Sequence, residues 1–187
     1  RTNPQLMARG LTERNIEHEI AAMRVFHHSE GLISAHAFLK HTDPLTSKTM
    51  TAVITPLYNG GSLERVLKNK TLHLSFQEKF KIAKDIIAGL TSLHTKGYAH
   101  RDLGARNHFV TIDKRSKKKR TITCVIADLE KVLPIQRLKG HAVQGNTEYL
   151  CPEGLFPEFM EGSMYLQSDL FAIGCLFWKM YFGKKPP

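Results

Sequence analysis

The sequence predicts an α+β fold in two lobes. Three observations carry that reading: one helix-patterned segment leads into two strand-like runs, a glycine-rich break follows at Asn59-Gly60-Gly61, and the remainder is mostly helical. With 187 residues, 42% of them hydrophobic and 24% charged, the chain has ordinary globular composition and enough apolar material for one sizeable core.

The elements follow in order. Thr12 suits an N-cap, and Ile16, Ile20 and Met23 recur at helical spacing before Gly31 closes the segment. Leu32 to Leu39 and Met50 to Leu57 read as neighbouring antiparallel strands, with Asp43-Pro44 in the turn between them. Tyr58 to Gly61 forms a flexible joint, after which Ser62 caps a short helix through Leu67. Ser75 and Glu78 make the reciprocal capping-box pattern, so a helix starts there, with an apolar stripe of Phe76, Phe80, Ala83, Ile87 and Leu90. Gly97 ends it near Lys96. Short strands are expected at Phe109 to Ile112 and Ile122 to Ala127, and Ser168 to Phe182 is apolar on almost every side, the pattern of an enclosed helix that Gly183 stops.

The formal charge of +10 raises the question of nucleic acid or membrane. The excess is local: Lys114, Arg115, Lys117, Lys118, Lys119 and Arg120 sit together, and setting those six aside takes the balance from +10 to +4. We read the run as a solvated turn between two strands, so no nucleic-acid partner is expected, although such a run also suits nuclear targeting. Cys124, Cys151 and Cys175 lack metal-type spacing, and no signal-peptide pattern opens the chain, so a cytoplasmic, reducing compartment is expected. Gln167, Ser168, Asp169 and Lys179 interrupt the most apolar stretch, which argues against a membrane span.

One stretch carries chemistry: His100-Arg101-Asp102-Leu103-Gly104-Ala105-Arg106-Asn107, between a helix end and a strand. A fixed carboxylate such as Asp102 can accept a proton from a hydroxyl, and an amide oxygen five residues on can bind a metal without adding charge. The eight residues match the catalytic-loop pattern H-R-D-L-x-x-x-N, and the chain is similar to the protein kinase family along almost its whole length. Ala127-Asp128-Leu129-Glu130 stands where that family carries D-F-G, Cys151-Pro152-Glu153 stands for its A-P-E, and Glu17-His18-Glu19-Ile20 resembles its αC helix.

The resemblance implies a kinase-like two-lobe fold, truncated at both ends. Residues 1–57 would be part of the small lobe, 58–61 the hinge, and 62–187 part of the helical large lobe. It implies ATP as phosphate donor with Mg2+, and a protein hydroxyl as acceptor. Asp102 would be the base, Asn107 and Asp128 the metal ligands, and Arg106 would lie near the transferring phosphate. Around the nucleotide it implies Glu19 as partner of a phosphate-binding Lys upstream, Thr55 as gatekeeper, Pro56 and Tyr58 as hinge contacts, and Phe109 beneath adenine. Asp169 would accept hydrogen bonds from the catalytic-loop backbone, and Glu153 would pair with an Arg outside this chain. Without the Lys partner of Glu19 and the phosphate lid, the stretch alone is expected to be inactive.

The Gly-Ala-Arg-Asn ending of the loop resembles tyrosine kinases, whereas Glu148-Tyr149-Leu150-Cys151-Pro152-Glu153 is closer to Ser/Thr kinases. The latter segment forms the floor under the acceptor residue, so Ser/Thr is favoured over Tyr, with Asn146 occupying the place of the usual threonine and Thr147 next to it. Glu130 replaces a glycine and puts a carboxylate near phosphate oxygens. That change keeps open a pseudokinase that binds nucleotide or partners without transferring phosphate. A small-molecule phosphotransferase shares an Asp and Asn loop, but the Cys-Pro-Glu segment argues for a peptide floor that such enzymes lack. The sequence does not decide oligomeric state.

Arg101 is the residue that ordinarily pairs with a phosphate added downstream, yet no Ser, Thr or Tyr lies between Lys131 and Asn146. We therefore expect that the protein is not switched on by such a phosphate, and that mass spectrometry of the active protein finds no activity-raising phosphosite downstream of Lys131; one at Thr147 or Tyr149 would overturn this.

Overall fold

A computed structural model describes residues 13–47, 49–113, 120–141 and 147–184. Its helices are α1 (Glu13–Val25), α2 (Leu63–Lys68), α3 (Phe76–His94) and α4 (Gly162–Phe182). Its strands are β1 (Ala37–Thr42), β2 (Thr49–Ile54), β3 (Gly61–Ser62), β4 (Tyr98–Ala99), β5 (His108–Asp113), β6 (Thr121–Ile126) and β7 (Leu133–Pro134). They form three small antiparallel sheets: β1 with β2, β3-β5-β6 in that order, and β4 with β7. Thr12, the basic residues 114–119 and Asn146 lie outside the described residues.

The helix caps follow from side-chain chemistry. Ser62 accepts a hydrogen bond from the Arg65 amide and opens α2. At α3 the Ser75 hydroxyl accepts the Glu78 amide at 3.3 Å, while the Glu78 carboxylate accepts the Ser75 amide at 2.8 Å. Arg120 closes on Glu78 from the start of β6, and this guanidinium holds the carboxyl down at about 2.

The first expected strand, Leu32 to Leu39, proves to be two things. Ile33 donates its amide to the Ile126 carbonyl and Ile126 donates its own to Gly31, both at 2.8 Å, so this part joins the end of β6. Pairing with β2 begins only at Ala37, opposite Ile54, and runs to Thr42 opposite Thr49. The partner strand stops at Ile54, short of Leu57, since Pro56 cannot donate to a ladder. Between β1 and β2 the Asp43 carboxylate accepts from the Leu45 amide and the Thr46 hydroxyl, a side-chain turn that fits the Asp-Pro signal. Helix α1 also ends well before Gly31, and Lys96 donates to the Val25 carbonyl at its C-terminus.

The buried face of α3 is Ile82, Ala83, Ile86, Gly89, Leu90 and Leu93, packed with Phe26, Ile126, Leu129 and Leu176 in one core. Of the expected stripe Ala83 and Leu90 are buried, whereas Phe76, Phe80 and Ile87 are exposed, so the buried face is rotated about the helix axis. Asp85, on the side facing β6, accepts the Cys124 amide at 3.0 Å and so satisfies a donor on the outer edge of that sheet. Helix α4 starts six residues earlier than expected, at Gly162, and is enclosed on one side only: Tyr165, Ile173 and Leu176 are buried, whereas Leu170, Phe171 and Phe182 are exposed. Among the described residues no helix is long and apolar enough to cross a membrane.

Gly31 and Gly89 bring two backbone segments into close crossing. A Cβ on Gly89 would stand 2.4 Å from the Gly31 carbonyl oxygen, and Gly31 has φ +70. Alanine is the better helix former by about 1 kcal/mol. The backbone clash outweighs that gain, so Gly89→Ala should lower stability by about 2–3 kcal/mol in urea unfolding, against the sign that propensity alone gives.

Candidate active site

The segment 100–107 is held from below by one buried carboxylate. Asp169, 2% exposed on α4, accepts the His100 amide at 2.7 Å, the Arg101 amide at 2.9 Å and the His94 ring at 2.9 Å. This bonding keeps Arg101 in the left-handed region at φ 71, a conformation that costs a non-glycine residue about 1–2 kcal/mol. The same fold brings Asp102, Asn107 and the end of β6 together. The Asn107 side-chain amide donates to the Asp102 carbonyl at 2.8 Å, and the Ala127 amide donates to the Asn107 carbonyl at 2.8 Å. Asp128 follows directly, itself left-handed at φ 62.

His100 links both sides. Its Nε2–H donates to the Ala127 carbonyl at 3.1 Å, and its Nδ1 accepts the Asp102 amide at 3.4 Å. Burial lowers its pKa, against the pull of Asp169. His108, fully buried, donates from Nδ1 to the Gly104 carbonyl at 2.7 Å, while its Nε2 has no hydrogen-bond partner. Its pKa falls to about 4, mainly through burial.

The remaining expected residues are placed as follows. Arg106 is exposed on the short turn between Asp102 and Asn107. Glu19 is half-buried on α1, the helix that packs against the turn Leu129–Lys131. Thr55, Pro56 and Tyr58 lie on the extended link after β2, where the Thr55 hydroxyl donates to the Pro56 carbonyl at 3.4 Å. The Tyr58 ring lies 5.7 Å from that of Phe109, and burial raises its pKa while a backbone hydrogen bond at Ser34 opposes the rise. Asn59 fastens the link to β5, donating to the Ile112 carbonyl and accepting its amide. Glu153 is exposed.

These groups suit a hard cation. The Asn107 nitrogen is spent on the Asp102 carbonyl, which leaves its oxygen as the atom that could bind a cation, and Asp128 follows Ala127, whose amide bonds the Asn107 carbonyl. Among the described residues no group of three or more His, Cys, Asp or Glu gathers to hold a metal unaided. A cation here would complete its shell with substrate phosphates, as Mg2+ does.

Sequence reasoning missed two features. Lys131 donates to Asp102 Oδ2 at 2.7 Å, with side chains 27% and 12% exposed. Tyr149 lies against Gly104, where a Cβ would meet its ring at 3.2 Å, and Lys179 sits over that ring while pairing with Glu148. The only signal for Lys131 was its adjacency to Asp128-Leu129-Glu130; for Tyr149 it was the missing side chain at position 104.

The pattern of the family described as "Protein tyrosine and serine/threonine kinase" matches residues 6–187. This chain belongs to the protein kinase family, whose members are phosphotransferases that use ATP and usually Mg2+. It is 32% identical over 143 residues to the dual serine/threonine and tyrosine protein kinase of Tetraodon nigroviridis, covering 71% of this chain and 14% of that one. It is 33% identical over 124 residues to the human dual specificity testis-specific protein kinase 1, covering 65% and 19%. It is 28% identical over 190 residues to the human death-associated protein kinase 2, covering 95% and 44%. The chain thus spans less than half the length of these curated relatives.

The buried imidazoles set a pH dependence. His108 is neutral in the fold down to about 4, whereas unfolded histidine takes up a proton near 6.5. The unfolded state therefore binds more protons between these values, and stability is present above pH 6.5 and lost as pH falls towards 4, by at most about 1.4 kcal/mol per pH unit from one group. Urea midpoints of His108→Asn should show a shallower acid limb in this window than wild type, with His100 supplying the remainder.

Proposed function

We propose that this chain is the central part of a protein kinase domain that transfers the ATP γ-phosphate to a protein hydroxyl, Ser/Thr in preference to Tyr. Residues 1–57 form part of the small lobe, 58–61 the hinge and 62–187 part of the large lobe. Asp102 accepts the hydroxyl proton, Asn107 and Asp128 bind the metal, and Arg106 approaches the transferring phosphate. Glu19, Thr55, Pro56, Tyr58 and Phe109 serve the nucleotide.

The observation that carries this reading is the convergence of Asp102, Asn107 and the residue before Asp128 in one hydrogen-bonded network. Phosphoryl transfer asks the protein chiefly for positioning and charge, and a network that ties the base, one metal-binding residue and the residue before the other supplies the first. The Ser/Thr preference rests on the floor segment 148–153, where Tyr149 packs on Gly104, two residues after Asp102.

Glu130 supports a second reading, a pseudokinase that binds nucleotide or a partner. The test is radiolabelled phosphate incorporation by the full-length protein with Mg2+ and ATP, beside its Asp102→Asn form. The kinase reading expects a fall of about 100-fold or more, with label on serine or threonine after acid hydrolysis. Equal incorporation by both forms would defeat it.

A further inference from the structure

Lys131 is the last residue of the short turn Leu129–Lys131 that follows Asp128. Its ammonium donates to Asp102 Oδ2 at 2.7 Å, and its carbonyl accepts from Arg101 Nη1 at 3.4 Å. Both consecutive residues of the loop 100–107, Arg101 and Asp102, thus grip this one lysine. The pair is sheltered on both sides, at 27% and 12% side-chain exposure, so solvent screens it less than a surface pair.

Two consequences follow. A carboxylate free to turn about its last bond offers its oxygens in many orientations, whereas one oxygen held by a fixed ammonium leaves the other in a defined place for an incoming hydroxyl. Lys131 also answers an electrostatic problem. Glu130 adds a negative charge beside Asp128, where phosphates would approach, and the next residue returns the local sum to that of a neutral glycine at 130.

We propose that Lys131 is a positioning residue for phosphoryl transfer, fixing the Asp102 carboxylate and offsetting the charge of Glu130. This rests on the kinase reading above. Lys131 acts through Asp102 and does not itself bond the reacting atoms.

The test uses the whole protein as wild type, Lys131→Met, Lys131→Arg, Asp102→Asn and the Lys131→Met/Asp102→Asn double variant. Casein is the phosphate acceptor, calorimetry gives the Kd for Mg-ATP, and thermal unfolding follows the domain. Lys131→Met should lower kcat by about 10- to 100-fold while the Mg-ATP Kd moves by no more than about twofold, and Lys131→Arg should recover most of the lost kcat. The unfolding cycle should show coupling: each single variant unfolds about 2–4 °C lower, and the double variant no lower than Lys131→Met. A kcat for Lys131→Met at or above wild type would mean that the lysine blocks the base, and would overturn the proposal. So would strictly additive unfolding shifts. Equal transfer by wild type and Asp102→Asn would remove the kinase reading and the positioning role with it, while additive shifts in an active enzyme would remove the proposal alone.

Discussion

The site depends on one buried charge. Asp169 sits at 2% exposure, and an ionised carboxylate there is tolerable only with its oxygens fully bonded. It finds its donors in the His94 ring and two successive backbone amides, those of His100 and Arg101. The bonding runs both ways. The amides converge on Asp169 because the chain turns through a left-handed Arg101, and that strained turn persists because Asp169 holds it. Asp102 and Asn107 inherit their places from this turn, and α3, α4 and the loop are locked as one unit.

A second constraint is steric. Gly31 and Gly89 bring the segment after α1 within backbone contact of α3, and the same segment joins β6 through Ile33 and Ile126. Helix α1 is thereby fixed relative to the end of the strand that leads into Asp128. Phe26, Leu32, Ile86, Ile126 and Leu129 fill the junction with apolar volume. A change at Gly89, far along the chain from residue 128, is therefore felt at the turn that follows it.

Features encoded within a few residues were legible in the sequence. The Ser75 and Glu78 box, the Asp43 turn, the Ser62 cap and the eight-residue loop are local patterns with local causes. What failed depended on partners distant in sequence. Leu32 and Ile33 have strand character but pair with β6, because Gly31 admits them against α3. Helix α3 is apolar around more than half its circumference, so Phe76-Phe80-Ile87 and Ile82-Ile86-Leu93 both keep helical spacing, and only the position of β6 and the loop after α1 selects the second. The gripping of Lys131 by Arg101 and Asp102 was invisible for the same reason: nothing in the sequence says that a turn after β6 returns to residues 101 and 102.

The stretch from Asp128 to Glu153 shows what such distant partners accomplish. At its start Lys131 is tied to Asp102 and Arg101, and β7 pairs with β4. Farther on, Tyr165 donates its hydroxyl to the His141 carbonyl, and its ring lies near the Arg101 guanidinium. Towards its end Tyr149 fills the space left by Gly104, and Glu148 pairs with Lys179 of α4. Each tie uses a charge or ring already in the chain: the ammonium groups of Lys131 and Lys179 and the phenol of Tyr165. The ties thus fall at Lys131, His141, Glu148 and Tyr149, and the stretch 132–145 between the first and the last of these carries no hydroxyl side chain.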